Sequence, residues 1–208
     1  MHPNESRRPL TSRGTRWART IATALVRSRI TPNQISVISI LFALIGTWLL
    51  VAWPTTAGLV LAALCVQLRL ACNLFDGMVA IEGGKQSPTG ALYNELPDRI
   101  ADSLFIVALG YAIQMPWLGW LGALLAALTA YLRATGGALG FAQDFRGPLA
   151  KPHRMAVLTL GCLVGALEGH LVGTRHALLV TAIVIAAGSA LTCITRTRAI
   201  AAQLRAKG

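Results

Sequence analysis

Residues 34–53 read QISVISILFALIGTWLLVAW, twenty residues without one charged side chain. A helix rises about 1.5 Å per residue, so a stretch of this length matches the ~30 Å hydrocarbon core of a bilayer. It predicts a membrane-spanning helix. Just before it, Thr31-Pro32-Asn33 reads as a helix start, with Thr31 as the cap and Pro32 at the first helical position. Working outward, five more stretches have the same character: about Ala57–Ala80, Thr89–Ile113, Trp117–Gly137, Met155–Val172 and Ala177–Ile194. Pro54, Gly83-Gly84, Pro88, Pro116, Gly147-Pro148 and Pro152 punctuate them. The expected fold is all-α, an integral membrane bundle of six transmembrane helices.

The composition agrees. Of 208 residues, 54% are apolar and 13% charged, where a soluble domain carries about 25% charge. A soluble globular domain and a disordered chain are both excluded. The formal charge of +11 has an explanation in an apolar chain. With six spans, seventeen of the nineteen Lys and Arg fall on one face, leaving only Arg175 opposite and Arg69 within a span. The positive-inside rule makes that face cytoplasmic. A multi-pass protein of the inner (cytoplasmic) membrane is expected, with both termini inside. No aromatic-interleaved basic face accompanies the charge, so no nucleic acid partner is expected. Cys65, Cys72, Cys162 and Cys193 all lie in apolar stretches and read as small buried thiols. The first 30 residues are Arg-rich and lack an apolar opening run, so no cleaved signal peptide is expected.

Three regions follow. Residues 1–32 form a basic cytoplasmic tail, 33–200 the membrane domain and 201–208 a second basic tail. Within the first, RGTRWARTIATALVRSR (Arg13–Arg29) places Trp17, Ile21, Ala24 and Leu25 at helical spacing among arginines. It reads as an amphipathic helix in the headgroup plane, attracted by anionic membrane lipids; a merely solvated tail is the plainer reading.

Five of the eight acids, Asp76, Glu82, Glu95, Asp98 and Asp102, lie within 27 residues. A carboxylate at membrane depth is costly and marks function by default. Arg69, Asn73 and Asp76 share one face of the second span; Glu95, Asp98 and Asp102, with Asn94, share one face of the third. The short loop between them predicts antiparallel neighbours whose oxygen-rich stripes face each other. Such stripes suit hard divalent cations, and a pair of cations can clamp a phosphoryl group. The plainer alternative is a buried ion-pair network in which Arg69 and Arg99 only hold helices together. Gly77, Gly83-Gly84 and Gly90 lie around the cluster and admit a close ligand or a close backbone.

Residues 73–102, NLFDGMVAIEGGKQSPTGALYNELPDRIAD, resemble the signature of the CDP-alcohol phosphatidyltransferases, D-x2-D-G-x2-A-R-x8-G-x3-D-x3-D. Asp76, Gly77, Ala80, Gly90 and Asp98 match it; Asn73, Ile81 and Asn94 stand at the first Asp, the Arg and the third Asp. Six spans, a basic amphipathic N-terminal helix and the Ile30–Asn33 lead-in are similar to that family too. The resemblance implies transfer of a phosphatidyl or similar group from a CDP-linked lipid donor to a small alcohol acceptor, with CMP released, in phospholipid biosynthesis. It implies Mg²⁺ or Mn²⁺, one or two ions, held by Asp76, Asp98, Asn73 and Asn94, with Glu95 and Asp102 as further carboxylates restoring the lost charge. Asp98 would act as base, Asp76 as metal ligand. Asn73, Gly77, Ala80 and Gly90 would receive the cytidine diphosphate, and Arg133, Lys151 and Arg154 the phosphate of an acceptor. A homodimer is expected from the same resemblance. Two alternatives stay open: a non-catalytic CDP-lipid-binding relative, and a small cation- or proton-handling membrane protein.

Overall fold

The computed structural model describes residues 15–207, so residues 1–14, Arg13 among them, and Gly208 lie outside the described residues. These residues form seven α-helices: α1 (Arg16–Arg27), α2 (Pro32–Ala52), α3 (Thr56–Glu82), α4 (Gly90–Ala112), α5 (Pro116–Ala138), α6 (Lys151–Leu171) and α7 (His176–Arg205). Strands are absent among the described residues.

Five helices are long and apolar enough to cross a membrane: α2, α3, α5, α6 and α7. The expected count was six. The difference is α4, which is 23 residues long but carries Glu95, Asp98, Arg99 and Asp102 in its first half. The chemistry of the site lowers its apolarity.

The helix starts follow from local sequence. At α2 the Thr31 hydroxyl accepts from the Gln34 amide at 3.2 Å, and the Gln34 side chain accepts from the Thr31 amide at 2.9 Å. This capping box, with Pro32 at the first helical position, satisfies amides that a helix start leaves without partners. At the end of α3, Gly84 turns the chain at φ +60, a conformation glycine adopts without steric cost. Pro97 lies inside α4, which continues unbroken through it.

Helices α2–α7 close a ring in the order α2, α3, α6, α7, α5, α4, each packed on its two neighbours. The core inside the ring includes Leu50, Leu59, Val66, Phe105, Leu109, Met155, Leu158 and Ile185. Outward-facing Leu, Ile, Val and Trp side chains are exposed, among them Trp48, Trp117, Trp120 and Leu171. Large apolar side chains facing outward around a buried core suit a lipid surround.

The ring corrects one expectation. Helices α3 and α4 are not closely packed neighbours; α2 packs on both, and α3 meets α4 only lightly. A short connection fixes sequence proximity, while α2 supplies the small residues that bring it close. Gly46 of α2 lies against Phe105 of α4 and Cys65 of α3. The space left between α3 and α4 on the far side of α2 is where the polar side chains collect.

Helix α1 packs on α3 through Ala18 and Ala22, both fully buried against a cluster containing Phe75, Met78 and Val79. Trp17 meets Phe75 edge-on with ring centroids 6.1 Å apart. The Lys85 ammonium donates to the carbonyls of Ser28 at 2.7 Å and Ile30 at 3.3 Å, tying the α3–α4 loop to the end of α1.

At the other end of α4 the backbone itself makes the contact. A Cβ on Gly110 would stand 2.6 Å from the Gly119 Cα and 2.7 Å from its nitrogen. No side chain there can rotate aside. Gly110→Leu is expected to destabilise the protein by about 2 kcal/mol or more through overpacking, read as a lowered melting temperature in detergent, while Gly137→Ala, which meets nothing closer than 3.9 Å, leaves it unchanged.

Candidate active site

The largest buried polar residue is Arg69 of α3, fully excluded from solvent. Its guanidinium Nη2 reaches the Asp98 carboxylate at 3.0 Å, the Asp98 backbone carbonyl at 3.1 Å and the Asp102 carboxylate at 2.7 Å. One cation on α3 therefore holds two carboxylates on α4. Asp102 also faces Arg154 of α6 at 3.6 Å. Arg154 donates in turn to the Leu149 carbonyl at 3.0 Å and the Thr129 hydroxyl at 3.2 Å.

Asp98 has more partners than any other acid. Asn73 Nδ2 donates to the same Oδ1 at 2.5 Å, Lys151 Nζ pairs with Oδ2, and Arg99 lies 3.8 Å from Oδ2. Asp76 is buried and accepts from Ser36 of α2 at 2.6 Å. Glu95 pairs with Arg133 of α5 at 2.7 Å and with Arg99 at 3.3 Å. Thus the stripes do converge, with Arg69 and Asn73 of α3 bonded to Asp98 of α4.

Around them opens a cavity of about 510 Å³, within the range of small-molecule sites. Asn73, Asp76, Gly77, Asn94, Glu95 and Asp98 line it, as do Arg133, Lys151 and Arg154. Ala80, Gly90 and Asp102 are not part of its lining. Three acids (Asp76, Glu95, Asp98) face five bases (Arg99, Arg133, Lys151, Arg154, Arg196) on its wall. The cavity is net cationic, suited to an anionic ligand.

Ser36, which bonds Asp76 from outside the cavity lining, and the lining residues Arg196, Trp17 and Phe145 have no site role in the sequence analysis. Ser36 was legible only as a polar residue in an apolar span, spaced i, i+3 with Ser39. Arg196 read as one of many charges at the chain's basic end; it is buried and donates to the carbonyls of Thr129 at 2.5 Å and Arg146 at 2.9 Å. Trp17 and Phe145 also line the cavity, and the Arg133 guanidinium sits 5.4 Å from the Phe145 ring centroid. In the neighbouring loop, burial raises the pKa of Asp144, but hydrogen bonds from Arg146 outweigh it and hold the carboxyl below its ordinary value. His153, Glu168 and His170 are not part of the cavity lining.

A family model described as CDP-alcohol phosphatidyltransferase matches residues 29–194. The chain belongs to that family. This CDP-alcohol phosphatidyltransferase is 31% identical over 185 residues to the phosphatidylinositol phosphate synthase of Corynebacterium glutamicum, covering 85% of this chain and 80% of that one. It is 35% identical over 156 residues to the bifunctional IPC transferase and DIPP synthase of Rubrobacter xylanophilus, covering 72% of this chain but 35% of that longer protein. Its fold matches crystal structures of the Mycobacterium tuberculosis phosphatidylinositol phosphate synthase. With CDP-DAG bound, the TM-score is 0.74 at 22% identity, over 89% of this chain and 94% of that one. With manganese and citrate it is 0.73 at 22% identity, over 88% of each.

Divalent metal ions are the cofactors of the family. Among the described residues of this phosphatidyltransferase, no three His, Cys, Asp or Glu side chains gather as a ligand group. The donors that suit a hard cation are the Asp76 and Asp98 carboxylates and the amide oxygens of Asn73 and Asn94, all of which line the cavity. Their two formal negative charges balance one dication. Glu95 and Asp102 face guanidinium groups, as Asp98 does through Arg69.

Removing Arg69 leaves Asp98 and Asp102 buried without their shared partner. Loss of one member of a buried charge pair costs on the order of 3–5 kcal/mol. Arg69→Met is therefore expected to lower the melting temperature in detergent sharply, whereas Arg146→Met, at an ion pair whose arginine side chain is 67% exposed, changes it little.

Proposed function

We propose that this enzyme transfers a phosphatidyl group from a CDP-linked lipid, of the CDP-diacylglycerol class, to the hydroxyl of a phosphorylated small alcohol. An inositol phosphate or glycerol 3-phosphate has the required chemistry. The observation that carries the reading is the placement of Asp76 and Asp98 on the lining of one cavity whose net charge is positive. The C. glutamicum relative's name supports the same substrate class.

Asp76 and Asp98, with the amide oxygens of Asn73 and Asn94, would hold the divalent cation, which when bound screens the charge of the donor's diphosphate. Gly77 leaves the α3 surface low beside Asp76 for the nucleotide to approach. The acceptor hydroxyl oxygen attacks the phosphorus that carries the diacylglycerol. A new P–O bond forms, the P–O bond to CMP breaks, and CMP leaves with the electron pair. Asp98 takes the hydroxyl proton, its position fixed by Arg69 and Asn73 rather than by a long flexible reach.

The acceptor's phosphate would lie toward Arg133 and Arg196. Arg196 is bonded to carbonyl oxygens and makes no direct ion pair among the described residues, with Asp144 acting on it only at longer range. Its charge is left to attract an anion. Lys151 and Arg154 extend the same basic wall.

We place α4 across the membrane as the sixth span, because it closes the ring between α2 and α5. Seventeen of the eighteen Lys and Arg outside α3 then fall on the side of the cavity or in the tails, which favours a cytoplasmic site in a plasma membrane. Helix α1 would lie along that surface. A second reading is nucleotide-lipid binding without turnover, favoured by the saturation of Asp98 with the chain's own donors.

The test is CMP release by the purified full chain with CDP-diacylglycerol, Mg²⁺ or Mn²⁺ and a panel of alcohols. Release is expected with phosphorylated acceptors, falling at least about a hundredfold in Asp76→Asn and Asp98→Asn. Arg196→Gln should raise KM for the phosphorylated acceptor about tenfold or more, with a smaller effect on kcat. Binding of CDP-diacylglycerol without any CMP release gives the second reading; release unchanged in both aspartate variants ends the first.

A further inference from the structure

We propose that Lys151 acts as a built-in cation at Asp98, so that the site takes one divalent ion per chain and not two. This rests on the metal-assisted reading above and concerns this chain's own residues toward the ion.

Three observations combine. First, the carboxylates on the cavity lining are Asp76, Glu95 and Asp98, of which Glu95 is taken by Arg133 and Arg99, while Asp102 lies off the lining against Arg69 and Arg154. Second, both oxygens of Asp98 are already engaged: Oδ1 by Arg69 and Asn73, Oδ2 by Lys151. Third, Asn73 presents its amide NH₂ to Asp98. An aspartate at position 73 would set two carboxylates against each other there, and a cation would have to lie between them. The amide removes that need by donating a proton directly.

The placement of Lys151 is specific. It opens α6, one helical position before Pro152, and its ammonium reaches across to α4. Its side chain is 21% exposed and borders the cavity. A monovalent ammonium on Oδ2 does part of what a dication would do there: it offsets the carboxylate charge and offers positive charge to a phosphate. A second dication would meet Lys151 and Arg69 at close range, and like charges within a few ångströms repel strongly in a partly buried site. The single ion would be held by Asp76, Asp98 and the Asn73 and Asn94 amide oxygens, as in the reading above. Lys151 is in this view a positioning residue, acting on the ion count through Asp98.

The experiment titrates Mn²⁺ into the purified full chain with CDP present and reads free Mn²⁺ by electron paramagnetic resonance. The wild-type protein is expected to bind one Mn²⁺ per chain. Lys151→Met, which leaves Asp98 Oδ2 with Arg99 alone at 3.8 Å, is expected to bind a second ion or to bind the first at least tenfold more tightly. Lys151→Arg, which keeps the charge, is expected to bind one with wild-type affinity. Size-exclusion profiles and CDP affinity report whether each variant is folded. Two ions in the wild-type protein overturn the proposal while leaving the transferase reading intact. So does a folded Lys151→Met variant with the wild-type count and affinity. No Mn²⁺ bound by the wild-type protein overturns the metal-assisted reading itself, and CMP release in a chelator then distinguishes a metal-free transferase from a binding protein.

Discussion

A guanidinium without solvent needs acids or carbonyl oxygens to meet it, and Arg69 sets the terms for the rest of this bundle. It sits near the middle of α3 with no accessible surface, and Asp98 and Asp102 of α4 close on it. Each of the three is expensive to bury alone. Together they fix the rotation of α4 about its axis and its height against α3, although the two helices scarcely touch. Asn73, one turn further along α3, then falls into line with the same carboxylate. The ring of six helices packs through glycines and aliphatic side chains, but its polar register is set by this one cation.

Much of this was legible in the sequence. Spacing placed Arg69, Asn73 and Asp76 on one face and Glu95, Asp98 and Asp102 on another, and side chains of the two faces meet. The capping box at Thr31 and Gln34 was half legible, in Thr31 and Pro32. The ion-pair network that stood as the plainer alternative is present as well, in Arg69 and Arg99. Network and cavity coexist because the carboxylates divide. Asp102 turns inward to arginines, while Asp76 and Asp98 stay on the cavity wall.

What the sequence withheld depends on distance along the chain. Ser36 lies 40 residues from the Asp76 it serves, and Arg196 lies 67 from the Thr129 carbonyl it holds. No local periodicity links such pairs; only the ring order of the helices does. The same limit explains the helix pairing. Sequence adjacency suggested α3 beside α4, whereas Gly46 and Phe105 let α2 come between them. Helix α4 was legible as a span by length, and its charge, read as chemistry, is what removes it from the most apolar class.

The contact between Gly110 and Gly119 has a mechanical side. Helices α4 and α5 touch backbone to backbone at that end, while near the other end two long side chains, Glu95 and Arg133, bridge the gap. The pair resembles tongs, with a tight apex and jaws that face the substrate. From Gly110 back to Glu95 is fifteen residues, a lever arm of roughly 22 Å at ~1.5 Å per residue. A tilt of about 3° at the apex then moves the jaw by about 1 Å, a displacement large enough to govern phosphoryl-transfer alignment. Two residues without side chains, at the end of α4 remote from the cavity, thereby fix where α4 and α5 come backbone to backbone.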